Sequence, residues 1–337
     1  MQAWQYTSIK DTLEGSLVLN ETATPPDAAS LDETHVLIDV IAAGINPVDY
    51  KLLEVPMAGK FMFMPSTPAS PGFDFCGRIR AVHPSNTTFS KGQLVFGALS
   101  VTTKLPKFGS LGQILVAPAS QIASLPPGVA PEDAAAIGTA GLTALQSLPR
   151  QQVIPGSRVF INGGSGGVGS FALQFAKAMG AHVTTTCSTA NVQLCRNLGA
   201  DEVIDYREAD VLAVLTGKGQ VFDVAVDNVG ALAGLYERSG GFLKPEGTFV
   251  QVGLPGFGAT LRRGLLPGRL FGPRRAYKSV AVAINREDLD QVGRWMVEGK
   301  VRAVLDEKFA WEDAPKAYEK LRKGRTTGKI VVQVGRE

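Results

Sequence analysis

Gly164, Gly166 and Gly169 follow one another in the order G-x-G-x-x-G, with Ser165, Gly167 and Val168 filling the pattern. A turn of this composition is built to grip a diphosphate. The first glycine permits the tight turn, the second removes the Cβ that would block a pyrophosphate, and the third lets the next helix pack close to its strand. Free backbone N–H groups and the positive end of that helix then face the phosphates. The motif has the context it needs. Arg158 to Ile161 is a short apolar strand, and Val168, Phe171, Ala172, Phe175, Ala176 and Met179 recur at i, i+3, i+4 and i+7 spacing after the turn.

An NAD site usually carries an acid about 20 residues beyond the glycines, on the ribose 2′-OH. Here that window, Thr184 to Thr189, reads TTTCST, and the first acid is Asp201. A 2′-phosphate is not repelled by such a segment, and Ser188 and Thr189 are able to donate to it, so NADPH (NADP+ when oxidised) is the expected cofactor. Ser188 as a plain helix N-cap is compatible with either cofactor. The nearest bases are Arg196 and Arg207.

The other reactive residue types form no constellation. Cys76, Cys187 and Cys195 are too few and too scattered for a disulfide framework, and no C-x-x-C spacing occurs. Cys187 and Cys195 read as core thiols. His35, His83 and His182 share no ligand spacing. Tyr6 and Lys10 have the Tyr-x-x-x-Lys spacing of a hydroxyl-activating pair but fall outside the dinucleotide segment. The basic run Arg262, Arg263, Arg269, Arg274, Arg275 and Lys278 reads as a solvated loop or as an anion-holding one.

Two kinds of element must position these residues. Residues 1–125 show short strands, among them His35 to Ile41, Arg78 to Val82, Gln93 to Phe96 and Gly112 to Val116, separated by turn-rich stretches. Pro131 to Leu148 reads as one helix. From residue 157 strands alternate with helices: strands at Ala181 to Cys187, Glu202 to Ile204, Phe222 to Val226 and Thr248 to Val252, helices near 191–198, 207–216 and 231–240. That alternation means a parallel sheet covered on both faces. Strand character returns at Ser279 to Ala283, followed by a helix with Leu289, Val292 and Met296 and a last strand from Lys329 to Val334. The expected architecture is α/β, with a mostly β domain (1–125 plus 275–337) interrupted by a doubly wound parallel-sheet domain (126–274).

At 337 residues, with 45% apolar and 19% charged residues, both domains can bury a full core. Lys and Arg number 34 against 31 for Asp and Glu, an excess too small to indicate a nucleic-acid partner. No apolar run reaches the ~18 residues of a membrane span, and no signal-like segment precedes the first strand. A cytoplasmic protein without nucleic-acid or membrane partners is expected.

The segments AAGINPVDYK (Ala42 to Lys51), PGFDFCG (Pro71 to Gly77), AAAIGTAGLTALQSL (Ala134 to Leu148), VFINGGSGGVGSFALQFAKAMGA (Val159 to Ala181), LGADEVIDY (Leu198 to Tyr206) and GRTTGKIVV (Gly324 to Val332) resemble the medium-chain dehydrogenase/reductase superfamily, in its zinc-free quinone oxidoreductase-like branch. The resemblance spans nearly the whole chain. It implies a GroES-like β domain flanking a Rossmann domain, with the nicotinamide in the cleft between them, and a possible homodimer. It also implies roles for single residues. Asn46 would approach the nicotinamide ribose, Thr143 the nicotinamide end and Asn228 the adenosine side. Gly253 and Leu254 would hold the carboxamide, and Lys329 would lie near the phosphates. Ser188, Asn191 and Tyr206 fall where relatives bind the 2′-phosphate, although Asn191 stands where many have Lys and Ala190 where some have Arg.

Zinc members of the superfamily use Cys, His and an acid around a catalytic ion, and a four-Cys lobe. Here Asn46 takes the place of the first ligand and Gly72-Phe73-Asp74 replaces Gly-His-Glu, so no metal is expected. Without a Lewis acid, the accessible chemistry is hydride addition to a polarised double bond, with an apolar carbonyl compound or quinone as substrate. Lys51 and Tyr50, beside Asp49, are the candidate catalytic residues, Lys51 as a cation near the enolate oxygen or as an acid. A structural Asp49–Lys51 ion pair with solvent as proton source is the alternative. Met57, Phe61, Phe63, Met64, residues 254–271 and Leu105 to Phe108 line the substrate or pack as core or lid. A non-redox isomerase or cyclase and a dinucleotide-binding regulatory protein remain alternatives on the same fold.

Overall fold

The computed structural model describes residues 1–54, 68–100, 105–253 and 275–335. Leu254, Met57, Phe61, Phe63, Met64, residues 254–271, Arg262, Arg263, Arg269 and Arg274 lie outside the described residues. The strands are β1 (Ala3–Gln5), β2 (Val18–Asn20), β3 (His35–Ile45), β4 (Asp74–Val82), β5 (Leu94–Ala98), β6 (Ile114–Pro118), β7 (Ile122–Ser124), β8 (Arg158–Asn162), β9 (His182–Cys187), β10 (Glu202–Asp205), β11 (Phe222–Asp227), β12 (Leu243–Val252), β13 (Ala276–Val280), β14 (Leu305–Phe309) and β15 (Lys329–Gln333). They divide between two compact units, residues 1–142 with 283–337 and residues 143–282.

The first unit is built on a seven-stranded sheet in the order β14-β15-β3-β4-β5-β7, with β6 also paired to β3. Its pairings are antiparallel except β14 with β15. The apolar residues of β3 and β4, including Val36, Ile38, Phe75 and Ile79, are buried with Tyr318, Ile330 and Val332 in one core. Leu105 belongs to this core and Phe108 packs against it, so that pair acts in packing.

The second unit is a six-stranded parallel sheet in the order β10-β9-β8-β11-β12-β13. Numbered within the unit, this is 3-2-1-4-5-6, the doubly wound Rossmann order, whose direction reverses between β8 and β11. Near-continuous burial of β8, β9 and β11 is what a sheet covered on both faces requires. Phe160, Phe222 and Phe242 form its aromatic centre, with ring centroids 5.9 to 6.2 Å apart and tilted to edge-on geometry.

Four expectations change. The strand read at Ser279 to Ala283 is β13, Ala276–Val280, and it pairs with β12 in the parallel sheet. Residues 131–142 group with the first unit, because Pro131–Ala135 packs on β3 and β4. The units accordingly divide at 142 and 282, not at 125 and 275. The single helix read over Pro131 to Leu148 is two, Pro131–Ala135 and Gly138–Gln146. At the break, a Cβ on Gly138 would lie 2.4 Å from the Asp74 carboxylate, so only glycine fits. The helix read near 231–240 is irregular up to a short 3₁₀ turn at Ser239–Gly241, with Gly230 and Gly234 at φ of 71° and 79°.

Candidate functional site

In the second unit the glycine turn joins β8 to the helix Gly167–Ala178, the arrangement the spacing predicts. Side chains from β9 hold it from below. Thr186 accepts a hydrogen bond from the Gly163 N–H at 2.8 Å, and the Gly164 N–H donates to the Thr186 carbonyl at 2.9 Å. Gly163 sits at φ 81°, open to glycine without strain. A Cβ on Gly164 would come within 2.1 Å of Thr185 Oγ1, and one on Gly169 within 2.0 Å of the Gly163 carbonyl oxygen. Gly166 differs. Its Cβ would meet nothing nearer than the Gly163 oxygen at 3.6 Å, so the protein itself leaves the space over Gly166 open.

Beyond the turn, Asn191 donates to Ser165 Oγ at 3.2 Å and reaches Ser188 Oγ at 3.5 Å. Tyr206, 54% exposed, follows β10 and its N–H donates to the Cys187 carbonyl. The structure thus brings Ser165, Ser188 and Asn191 together, with Tyr206 tied to the same strand end. It also adds an acid that linear spacing does not flag: Asp205 pairs in register with Cys187, and its Oδ1 accepts from the Arg207 N–H. On the other side of β8, Asn228 donates to the Asn162 carbonyl at 3.2 Å while its own Oδ1 is buried without a partner. Gly253, at φ 77°, ends β12. Thr143 is buried on the helix Gly138–Gln146. An open cradle, free helix N–H groups and an unpaired buried acceptor fit a dinucleotide. A separate cavity of about 380 Å³, bordered by Ser157, Asp223 and Lys244, lies at the opposite ends of the strands.

The first unit holds a second cluster. Asn46 donates through Nδ2 to Asp74 Oδ2 at 2.8 Å, and Lys329 donates to Asn46 Oδ1 and to the Ile45 carbonyl. Asp74 Oδ1 also accepts from the N–H and hydroxyl of Thr139, at 2.8 and 2.6 Å, at the start of its helix. Asp49 Oδ2 accepts from the Asn46 N–H at 2.9 Å and the Tyr318 hydroxyl at 3.2 Å, while Oδ1 is buried and unpartnered. Burial, reinforced by the Asp74 charge, pushes the Asp49 carboxyl up to about 8. Burial likewise lowers Lys329, though the two carboxylates oppose the shift.

The Lys329 ammonium, expected near the phosphates, donates inside this cluster to Asn46 Oδ1 and the Ile45 carbonyl and lies 3.6 Å from Asp74. Two expectations are corrected here. Asp49, Tyr50 and Lys51 do not converge. Asp49 is buried and Lys51 exposed on the same short helix, where residues two apart do not face each other, so no ion pair joins them. Tyr50 lies under the Arg322 guanidinium, 4.2 Å from the ring centroid, and Arg322 is itself clamped by Glu14 and Glu54. The residues missed from sequence are Asn162, Thr186, Asp205 and Asp227 in the second unit and Thr139 and Tyr318 in the first. The signal for Asn162 and Asp227 was a polar residue ending a parallel strand just after a run of three apolar residues.

A Rossmann-ordered unit with a glycine cradle at its first strand, in a chain that also carries a mostly antiparallel unit, fits a dinucleotide-dependent dehydrogenase or reductase. Two family models match the chain, an alcohol dehydrogenase GroES-like domain over residues 32–127 and a zinc-binding dehydrogenase over residues 198–332. Trans-enoyl reductase pgmF of Aspergillus terreus is 46% identical over 99% of this chain and 96% of its own length. A chloroplast envelope quinone oxidoreductase homolog of Arabidopsis thaliana is 29% identical over 99% of this chain and 98% of its own. Among solved structures, the quinone oxidoreductase from Coxiella burnetii aligns with a TM-score of 0.84 at 29% identity, covering 99% of both chains. The chain belongs to the medium-chain dehydrogenase/reductase superfamily, in its quinone oxidoreductase-like branch.

Among the described residues, the positions expected to replace zinc ligands form no donor set for the zinc in one family model's description. Asn46 and Asp74 are bonded to each other and to the Lys329 ammonium, a cation that already compensates the carboxylate. Among the described residues no group of three His, Cys, Asp or Glu side chains is placed to hold a metal ion. Among them too, no helix is long and apolar enough to cross a membrane.

Proposed function

We propose that this protein is an NADPH-dependent, metal-independent reductase that adds hydride to the C=C of an α,β-unsaturated carbonyl compound or to a quinone. The reading is carried by the open, donor-rich glycine turn at the reversal point of a parallel sheet, in a chain whose full-length relatives are named for enoyl and quinone reduction. When bound, the nicotinamide supplies the hydride and so the redox chemistry itself.

The chain's own residues bind and orient. Gly164 to Gly169 hold the diphosphate on backbone N–H groups, and Asn228 Oδ1 accepts from a hydroxyl or amine of the dinucleotide. Ser188, Asn191 and Ser165 offer hydroxyl and amide donors that suit a 2′-phosphate, which supports NADPH over NADH. Lys51, exposed and outside any core, is the remaining candidate for proton delivery or enolate stabilisation, and Tyr50 is released from that role by its burial under Arg322. The substrate is a small apolar carbonyl compound or quinone.

The test is a panel of enals, enones and quinones mixed with protein and either NADPH or NADH. NADPH consumption matched by a product two hydrogens heavier supports the proposal. Substrate rearrangement without NADPH loss makes the protein an isomerase or cyclase, and tight binding without turnover makes it a regulatory binder. In the same assay Lys51→Ala is expected to lower kcat at least about tenfold, the scale of one lost acid or charge contact. Unchanged turnover and KM would remove Lys51 from the mechanism.

A further inference from the structure

At the point where the parallel sheet reverses direction, the last residues of its two central strands are polar and buried. Asn162 ends β8 and Asp227 ends β11; they face each other in register and are 6% and 3% exposed. Both strands are otherwise apolar at their ends, so burying an amide and a carboxyl there carries a desolvation cost that hydrogen bonds must offset. They do so in one connected path. The Gly163 N–H donates to Thr186 Oγ1, whose hydroxyl donates to Asn162 Oδ1 at 2.6 Å. Asn162 Nδ2 donates to Asp227 Oδ1 at 2.8 Å, and that same oxygen accepts the N–H groups of Val229 and Gly230 at 3.0 Å each. The Asn162 carbonyl accepts from both the backbone and the side chain of Asn228.

Every polar group of Asn162 beyond its strand pairing is therefore committed to one of two loops. One branch ends on the glycine turn. The other ends on the turn that carries Asn228 and its unpaired oxygen. Moving one loop relative to the other would stretch a bond of this path, so the path ties the two loops together.

We infer that Asn162 and Asp227, linked through Thr186, are positioning residues that set the spacing between the glycine turn and Asn228, and so set affinity for the dinucleotide. This inference rests on the dinucleotide-binding reading above. It assigns no contact with the ligand to either residue; both act through the loops they hold.

The experiment is calorimetric titration of NADPH into wild type, Asn162→Leu, Thr186→Val and Thr186→Ser, with thermal midpoints measured alongside. Thr186→Val strips the Gly163 N–H of its acceptor and Asn162 Oδ1 of its donor, whereas Thr186→Ser keeps the hydroxyl that serves both. Asn162→Leu and Thr186→Val are each expected to weaken NADPH binding at least about tenfold, and Thr186→Ser to bind within about threefold of wild type. If Asn162→Leu does not fold, the two Thr186 variants carry the same test. Wild-type affinity in folded Asn162→Leu or Thr186→Val, or Thr186→Ser binding no tighter than Thr186→Val, overturns the inference, because a merely structural network would shift the melting midpoint and leave affinity alone. A wild-type protein that binds no NADPH overturns the dinucleotide reading itself.

Discussion

Gly166 separates the needs of the fold from those of the ligand. A methyl group there meets no protein atom closer than 3.6 Å, whereas at Gly164 and Gly169 it would collide with protein at about 2 Å. Gly166→Ala is therefore expected to keep the wild-type melting midpoint and lose at least about tenfold in NADPH affinity, read by thermal denaturation and calorimetry on one sample. Gly169→Ala should lose both. Asp49 yields a pH prediction. Its carboxyl is raised from 3.8 to about 8 on folding, so between those values the native state keeps a proton that the unfolded chain releases. The stability due to this group is complete below about pH 4 and is lost as pH climbs through about 8, by up to about 1.4 kcal/mol per unit. Asp49→Asn keeps an oxygen for the Asn46 N–H and the Tyr318 hydroxyl without the titration. Urea midpoints should then fall less between about pH 5 and about pH 8.5 in the variant than in wild type. Equal slopes would show that Asp49 does not hold that proton.

At the scale of elements, the glycine turn was legible because its strand, turn and helix are contiguous and each carries its own local period. The paired residues beneath it were not. Asn162 and Asp227 are 65 positions apart, and only the 3-2-1-4-5-6 strand order makes them neighbours. The failed helix near 231–240 and the split of Pro131 to Leu148 share one cause, which is that tertiary context outweighs propensity. Asp74 needs the bare backbone of Gly138, and Gly230 and Gly234 adopt conformations that end a helix. β13 escaped assignment to the parallel sheet because its residues are largely exposed and lack the apolar run of a buried strand. Phe160, Phe222 and Phe242 are fully buried and in mutual ring contact. Phe222→Ala should cost about 3–5 kcal/mol in denaturant unfolding, and a loss under 1 kcal/mol would mean that the cluster is not tightly packed.

For the whole molecule, fold class and family were readable from six segments spread along the chain, while the division between units shifted because Pro131–Ala135 packs on the β unit and β13 joins the parallel sheet. The account depends on chemistry that requires no metal. Exhaustive chelation is expected to leave turnover unchanged, and loss of activity restored by zinc would contradict it. The most direct measurement follows the hydride. With NADPH deuterated at the transferable C4 position and an enone or enal substrate, the product should carry one deuterium at the β-carbon and one solvent proton at the α-carbon. A product that acquires no deuterium from either C4 face, while the substrate is still transformed, would contradict the proposed reductase.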